Sequence, residues 1–239
     1  MVTKIFSFLI ICFCLTLESA AAQIKEIHNS IPKEHEALIR ISSQAAVGDL
    51  AQLRDELHSG LDVGLTINQL KEGLIHMHAY AGFPRSIRGL QTLMAVVEER
   101  QENGIKDKEG RNASPISTDK SKYERGKAVL QQLTGVKEKD VKTGYAAFAP
   151  TIEIFLKEHL FADLFERDVL TYLERELVTI SVLASIGRVE PMLKSHLTIC
   201  VNLGCTPTYL QQFVQIINET QGEQRGAEAT EMLPEVFKK

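Results

Sequence analysis

The 239-residue chain contains no tryptophan, and aromatic residues make up only 6% of it. With 7 prolines, 15 glycines and no long stretch that alternates apolar and polar residues, it lacks the marks of a sandwich or barrel of short strands. It also lacks excess positive charge: its formal net charge of -4 argues against a nucleic-acid-binding surface built on bulk charge. Apolar residues (44%) and charged residues (24%) occur in globular proportions, which excludes disordered, collagen-like and coiled-coil chains.

No apolar run at the N-terminus is long enough to favour a membrane-spanning helix. The run over residues 5–17 is about 13 residues long, whereas a spanning helix needs roughly 20. Lys4 precedes the run, and the small residues of Ser19-Ala-Ala-Ala22 follow it. This pattern predicts a signal peptide over residues 1–22, cut near Ala22, and hence a periplasmic or secreted protein without a stable membrane span. A membrane anchor is the alternative interpretation.

Helical periodicity dominates the rest of the chain and predicts an all-α fold. Amphipathic runs at helical spacing occur in three segments, marked by Leu90, Leu93, Met94 and Val97, by Ile152, Phe155, His159 and Phe165, and by Leu177, Ile180, Leu183 and Ala184. Residues 101–122 are instead polar and rich in Gly, Asn, Ser and Lys, which predicts an exposed linker.

The chain repeats itself at a separation of about 140 residues. Leu38-Ile-Arg-Ile-Ser is similar to Leu177-Val-Thr-Ile-Ser, and Val63-Gly-Leu-Thr is similar to Leu203-Gly-Cys-Thr. The repeat predicts a duplicated all-α chain, with a first unit over residues 23–100, a linker over 101–122 and a second unit over 123–239.

Both copies of the second pattern carry the signals of one helix ending and another beginning. A glycine suits the left-handed position after a helix, and a threonine suits the N-cap of the next one. Gln69 completes a capping box with Thr66, and Pro207 follows Thr206 at the favoured first helical position.

Three clusters of polar side chains are candidates for chemistry: His76, His78 and Tyr80 near the end of the helix that begins after Thr66, the segment Glu174-Arg-Glu176, and His196. His76 and Tyr80 are four residues apart and share a helix face, and Gly82 and Pro84 are expected to stop that helix. His76 and His78 are two residues apart, so a helix points them about 200° from each other. They cannot bind one metal ion together, and we expect no metal site.

Glu176 and His196 fall on consecutive predicted helices, which can bring a carboxylate and an imidazole together for acid–base chemistry. Two alternatives stay open. Glu176 suits the first turn of a helix, where the dipole favours an acidic residue, and His196 suits an apolar helix as a neutral core residue.

The four cysteines do not form a redox motif. Cys12 and Cys14 lie in the predicted signal peptide, and there is no CxxC. Cys200 and Cys205 are five residues apart, and five helical residues separate Cα atoms by roughly 8 Å, beyond ordinary disulfide reach. They are predicted to be small buried residues, with a redox role as the alternative.

Several of these motifs together resemble one protein family. The segment Glu72-Gly-Leu-Ile-His-Met-His-Ala-Tyr-Ala-Gly-Phe-Pro84 resembles the helix of carboxymuconolactone decarboxylase family proteins that ends in a Tyr-x-Gly-x-Pro element. The segments Arg175–Arg188 and His196–Gly204 resemble the family's other signature. The resemblance extends over nearly all of residues 23–239, as two tandem units. It implies an alkyl-hydroperoxidase D-like helical fold and a ring-like homo-oligomer, here a trimer of tandem chains.

The resemblance also implies where the site lies. Glu176 and His196 match the family's acidic and histidine positions in the second unit, whereas the first unit has Ala37 and Glu56 there. Each unit therefore keeps a different half of the pattern, which implies one composite site. Its expected members are the catalytic residues Glu176, His196 and His78 and the substrate-binding residues His76, Tyr80 and Arg188.

The implied activity is a cofactor-free decarboxylation, or related acid–base chemistry, of a small carboxylated lactone-like substrate. His196 would transfer the proton, because imidazole titrates near neutrality. One alternative is a thiol-dependent peroxidase of the alkyl-hydroperoxidase D-like branch that uses Cys200 or Cys205, although the missing CxxC disfavours it. The other is a non-catalytic exported binding protein.

Overall fold

The computed structural model describes residues 27–139 and 141–238. The predicted signal peptide, with Cys12 and Cys14, lies outside these residues. Within them, every regular element is a helix, apart from an isolated β-bridge between His28 and Cys205. The all-α prediction is confirmed. None of the helices in the described ranges is both long and apolar enough to cross a membrane.

In chain order, two groups of four helices lie on either side of a central set, which includes two helices of only five and six residues. The first group is α1 (Lys33–Val47), α2 (Leu50–Asp62), α3 (Ile67–His76) and α4 (His78–Glu102). The central set is α5 (Lys122–Thr134), α6 (Gly144–Phe148), α7 (Pro150–Phe155) and a π-helix (Leu156–Leu164). The last group is α8 (Tyr172–Ile186), α9 (Glu190–Asn202), α10 (Pro207–Gln221) and α11 (Glu223–Val236).

The predicted helix starts at Thr66 and Thr206 are confirmed. Thr66 and Gln69 form a reciprocal capping box at the start of α3. The Thr206 side chain accepts a hydrogen bond from the backbone of Tyr209, with Pro207 at the first helical position. A glycine with a positive φ precedes each start (Gly64, φ 107°; Gly204, φ 111°). It ends the preceding helix, because a residue with positive φ cannot continue an α-helix.

Two helix boundaries differ from the prediction. Helix α3 already ends at His76, and α4 starts at His78, breaks at Gly82 (φ 80°) and continues to Glu102. Gly82, with a ψ of 162°, is not helical, so it does end a helical stretch as expected, but that stretch starts at His78 and a second one follows it within α4. Helix α8 starts at Tyr172, where Thr171 and Glu174 form a capping box. Glu176 thus lies beyond the first turn, and its interpretation as a first-turn residue is wrong.

Helices α1 and α8 pack against each other and join the first and last helix groups. Val178 and Val182 of α8 belong to the apolar core of the first helix group, and Ile39 of α1 belongs to the core of the last group. Nearly the whole of α8 is buried, including Glu176. The two groups therefore share one core, and a polar side chain on α8 can meet residues from both.

The amphipathic run around residue 155 is only partly buried. Phe165 is buried, but Ile152 (51%) and Phe155 (60%), which both lie in α7, are exposed, and so is His159 in the π-helix. The hydrogen bonds of a π-helix span five residues, so a spacing of 3.6 residues per turn does not continue from α7 through Leu156–Leu164 to Phe165. Met94, at 58% exposure, likewise lies outside the buried stripe of α4.

The predicted linker is mostly exposed, but it is held against the first helix group. The backbone carbonyls of Lys108 and Glu109 accept hydrogen bonds of 2.9 Å from the backbone N–H groups of Ile67 and Asn68. These donors belong to the first turn of α3, where a helix has no internal acceptors for them. The segment therefore completes the N-terminal end of α3.

Candidate active site

Glu176 on α8 and His196 on α9 form a hydrogen-bonded pair. The Oε2 atom of Glu176 lies 2.8 Å from Nδ1 of His196. Glu176 is fully buried, whereas the His196 side chain is 13% exposed. A carboxylate accepts, so Nδ1 of His196 carries a proton, and in the neutral imidazole Nε2 then carries a lone pair. The pair is a basic imidazole oriented by a buried carboxylate.

Tyr80 from the first helix group completes this pair. Its ring lies edge-on to His196, with 5.6 Å between the ring centroids. Among the residues that the structure describes, no partner lies in hydrogen-bonding geometry to the buried Tyr80 hydroxyl or to the buried Oε1 of Glu176, although the Thr179 hydroxyl lies close to Tyr80. Burial, and then the charge of Glu176, raise the pKa of Tyr80 well above its ordinary value. The phenol therefore stays neutral and can donate a hydrogen bond to a substrate oxygen.

His76 lies behind Tyr80 as a neutral, fully buried imidazole. Thr179 donates its hydroxyl to the carbonyl of Arg175 and accepts from Nε2 of His76 at 3.0 Å. The guanidinium of Arg175 lies 3.4 Å from Nδ1 of His76. Burial, and then the charge of Arg175, lower the pKa of His76 well below its ordinary value. His76 therefore supports the ring of Tyr80, with 5.7 Å between the centroids.

A buried ion network under the site was not predicted from the sequence. Arg175 is fully buried, and it donates to Oε2 of Glu72 at 3.1 Å. Glu72 also accepts from Nε of Arg167 at 3.0 Å. Burial opposes ionisation of Glu72, but hydrogen bonds from Arg167 and Arg175 lower its pKa below its ordinary value. The residue that could have indicated this network in the sequence is Arg175, a basic residue that stands between the acidic residues Glu174 and Glu176.

Two expected members lie elsewhere. Arg188 follows the C-terminal end of α8, and a rise of 1.5 Å per residue puts it roughly 18 Å along the chain from Glu176. It lines a small cavity with Arg225 and Glu228 instead. His78 is directed to another part of the surface, where its Nε2 lies 2.7 Å from Nε2 of His159. The structure therefore brings together Glu176, His196, Tyr80 and His76.

The cysteines are closer together than helical spacing predicts. Helix α9 ends at Asn202, and the chain turns back so that the backbone N–H of Cys205 donates to the carbonyl of Cys200 at 3.0 Å. Both thiols are free and buried. A hydrogen bond with Cys205, and then burial, raise the pKa of Cys200 well above its ordinary value. Because the thiolate is the reactive form, this environment disfavours thiol chemistry.

An open cleft lies apart from the Glu176–His196 pair. It has a volume of about 490 Å³ and is lined by Tyr123, Lys142 and Glu153, around α5 to α7. Among the residues that the structure describes, no group of three or more His, Cys, Asp or Glu side chains is arranged to hold a metal ion. In the described part of the chain, four buried side-chain polar atoms have no hydrogen-bond partner. Three of them belong to Tyr80, Arg175 and Glu176, and the fourth belongs to Ser43.

No protein-family model and no curated protein matches the chain.

Proposed function

We propose that the chain is a carboxymuconolactone decarboxylase-like enzyme whose site is formed by Glu176, His196 and Tyr80. The observation that carries the proposal is the 2.8 Å contact between Glu176 and Nδ1 of His196, beside a buried phenol without a partner. Side chains oriented by a buried carboxylate and left with unsatisfied polar atoms are typical of sites that complete their hydrogen bonds with a ligand.

The proposed reaction is the decarboxylation of a small carboxylated lactone without a cofactor. The bond between the carboxylate and the ring carbon breaks, and its electron pair moves into a neighbouring carbonyl group as carbon dioxide leaves. Tyr80 donates a hydrogen bond to the carbonyl oxygen as negative charge develops there. His196, after taking up a proton at Nε2, delivers it to the carbon, and Glu176 stabilises the imidazolium.

The proposal includes duplication of the helix groups. The chain orders α1 to α4 and α8 to α11 in the same way, and the residues after α2 and α9 share the Gly-x-Thr pattern. In this arrangement Tyr80 and His76 come from the first group, and Glu176 and His196 from the last. The composite site then needs both helix groups. Each group can therefore have lost the site residues that the other group supplies.

A homo-oligomer and export are further parts of the proposal. Large apolar side chains are exposed on α4 (Phe83, 63%; Ile87, 50%) and around α7 (Phe148, 92%; Phe155, 60%), which supports association of chains. Light scattering of the purified protein tests for the expected trimer. N-terminal sequencing of the exported protein tests cleavage near Ala22.

The decisive experiment measures carbon dioxide release from a panel of small carboxylated lactones. The wild-type chain should decarboxylate at least one of them, His196→Ala should abolish that activity, and Arg188→Asn should leave it intact. Asn is the matched replacement because Arg188 has a positive φ (59°), which Asn tolerates. Full activity in His196→Ala would reject the mechanism. Binding of a lactone without turnover by the wild type would favour the non-catalytic binding protein.

A further inference from the structure

His78 and His159 form a pair of imidazoles outside the proposed active site. His78 begins α4 and His159 lies in the π-helix, 81 residues later in the chain. Their Nε2 atoms lie 2.7 Å apart. Phe83 stacks on His78, with 4.6 Å between ring centroids, and the side chain of His159 is 48% exposed. The pair is therefore held on one side and open to solvent on the other.

The neighbours of the pair determine where each imidazole carries its proton. The backbone carbonyl of Ile75 lies 2.5 Å from Nδ1 of His78. A carbonyl can only accept, so the proton of His78 is on Nδ1. Oδ2 of Asp163 lies 3.5 Å from Nδ1 of His159, and Lys122 forms a 2.8 Å ion pair with the same carboxylate. At 3.5 Å this contact is an ion-pair distance and not a hydrogen bond, but the negative charge beside Nδ1 favours the tautomer of His159 that has its proton there.

The consequence is a conflict between the two Nε2 atoms. A neutral imidazole has one proton, so each ring presents a lone pair at Nε2. With both protons on Nδ1, two lone pairs face each other at 2.7 Å and repel, unless one ring takes up a second proton or a metal ion binds both nitrogen atoms. We propose that His78 and His159 bind a divalent transition-metal ion through their Nε2 atoms.

The surroundings have the features of a metal site. Histidine ligands characteristically donate their second N–H to a carbonyl or a carboxylate, which are the groups that Ile75 and Asp163 provide. Two metal–nitrogen bonds at a tetrahedral angle need nitrogen atoms about 3.4 Å apart, so the rings have to separate by about 0.7 Å. His159 can move by this amount because its side chain is half exposed.

The chemistry of the pair selects the kind of ion and leaves part of its coordination open. Imidazole nitrogen suits zinc, copper, nickel and iron, and does not suit magnesium or calcium. Two protein ligands leave the remaining positions to water or to a ligand from another molecule. Among the described residues, no third His, Cys, Asp or Glu side chain completes a metal-holding group with this pair. The site is separate from Glu176 and His196, so it can exist whether or not the chain is a decarboxylase.

The test uses the full chain without an affinity tag, freed of metal by a chelator and titrated with Co²⁺ and then with Zn²⁺. We expect one ion per chain, seen as a visible absorption band of bound Co²⁺ that Zn²⁺ removes. His78→Gln and His159→Gln should each weaken binding at least tenfold. Asp163→Asn should weaken it about tenfold, because it removes the group that orients His159.

His58→Gln is the matched control, since His58 is a partly exposed histidine that contacts Glu99 and lies outside the pair. It should bind metal like the wild type, and the melting temperatures of all variants establish that they fold. Equal binding by wild type and His159→Gln overturns the proposal. The proposal is also overturned if ¹⁵N chemical shifts of the metal-free protein show that one ring is doubly protonated and that Zn²⁺ does not change this. A proton then bridges the two nitrogen atoms.

Discussion

Oε2 of Glu176 accepts a 2.8 Å hydrogen bond from Nδ1 of His196, although the two residues are 20 positions apart and on different helices. The contact fixes the imidazole with its basic Nε2 directed away from the carboxylate. His196 is partly exposed, whereas Glu176 is fully buried. His196 therefore lies between the solvent and the buried carboxyl group. This relationship is the basis of the first prediction.

Glu176→Gln should reduce kcat by about 10²- to 10⁴-fold, the usual contribution of general acid–base catalysis. The amide keeps the shape of the carboxylate but loses the charge that stabilises the imidazolium. KM should change much less than kcat. The measurement is the rate of carbon dioxide release on the substrate found for the wild type, with Arg188→Asn as the control. An unchanged kcat would show that the charge of Glu176 has no part in turnover.

Tyr80→Phe should lower activity while stabilising the fold. Within the described part of the chain, the buried Tyr80 hydroxyl has no hydrogen-bond partner, and leaving such a group unpaired costs about 1–3 kcal/mol. Its removal should raise the free energy of unfolding by about 1 kcal/mol, measured by urea denaturation. The same change removes the proposed donor to the substrate oxygen. Loss of stability in Tyr80→Phe would mean that the hydroxyl has a partner in the folded protein.

The free energy of unfolding should fall as the pH decreases below about 6.5 because of His76. Burial and the charge of Arg175 lower the pKa of this imidazole in the folded state, whereas its unfolded value is near 6.5. Below that pH the unfolded chain takes up a proton that the folded chain does not, at a cost of up to about 1.4 kcal/mol per pH unit. The stability is therefore complete above pH 6.5 and is lost as the pH falls towards the folded pKa.

His76→Gln should flatten this dependence between pH 6.5 and 5. Glutamine can still donate to Thr179 and accept from Arg175, but it does not titrate. Urea denaturation at several pH values measures the slope, and His58→Gln should leave it as in the wild type. An unaltered slope in His76→Gln would assign the pH dependence to other groups. Glu72, whose folded pKa is also lowered, should add a further loss below about pH 4.5.

Gly126→Ala should destabilise the fold by about 1–3 kcal/mol or more, through overpacking. A Cβ atom at Gly126 would lie 1.9 Å from the backbone oxygen of Lys157, so the approach of α5 to the π-helix requires glycine. Gly73→Ala is the control, because its Cβ would lie 3.6 Å from Val178 and a helical alanine is favoured by about 1 kcal/mol. Thermal denaturation should move the two variants in opposite directions. Equal stability would contradict the close helix contact.

The thiols of Cys200 and Cys205 should be inert towards peroxide in the folded protein. Both are buried, and the pKa of Cys200 is raised, so little thiolate forms near neutral pH. Thiol titration before and after peroxide should give equal values, and a thiol reagent should react fully only in denaturant. Consumption of these thiols by peroxide in the native state would support the peroxidase alternative.

The local signals in the sequence were sufficient for much of the fold. The helix starts after Thr66 and Thr206 depend on a threonine, its neighbours and a preceding glycine, all within a few residues. The four apolar residues that helical spacing marks on α8 (Leu177, Ile180, Leu183 and Ala184) are all buried, but so are the polar residues between them, which the spacing does not indicate. Where α7 passes into the π-helix, the spacing fails to identify the buried residues, and Ile152 and Phe155 are exposed.

The sequence by itself determined an all-helical chain and the residue types of an acid–base pair, because caps and periodicity act over short distances. Only the tertiary structure decided which of those residues meet. Packing of α1 and α8 buries Arg175 and Glu176 between the two helix groups, where Glu72 and Tyr80 reach them. The same packing leaves His78 and Arg188 outside. Such contacts join residues about 100 positions apart, and no local pattern encodes them, since they depend on how whole helices fill a shared core.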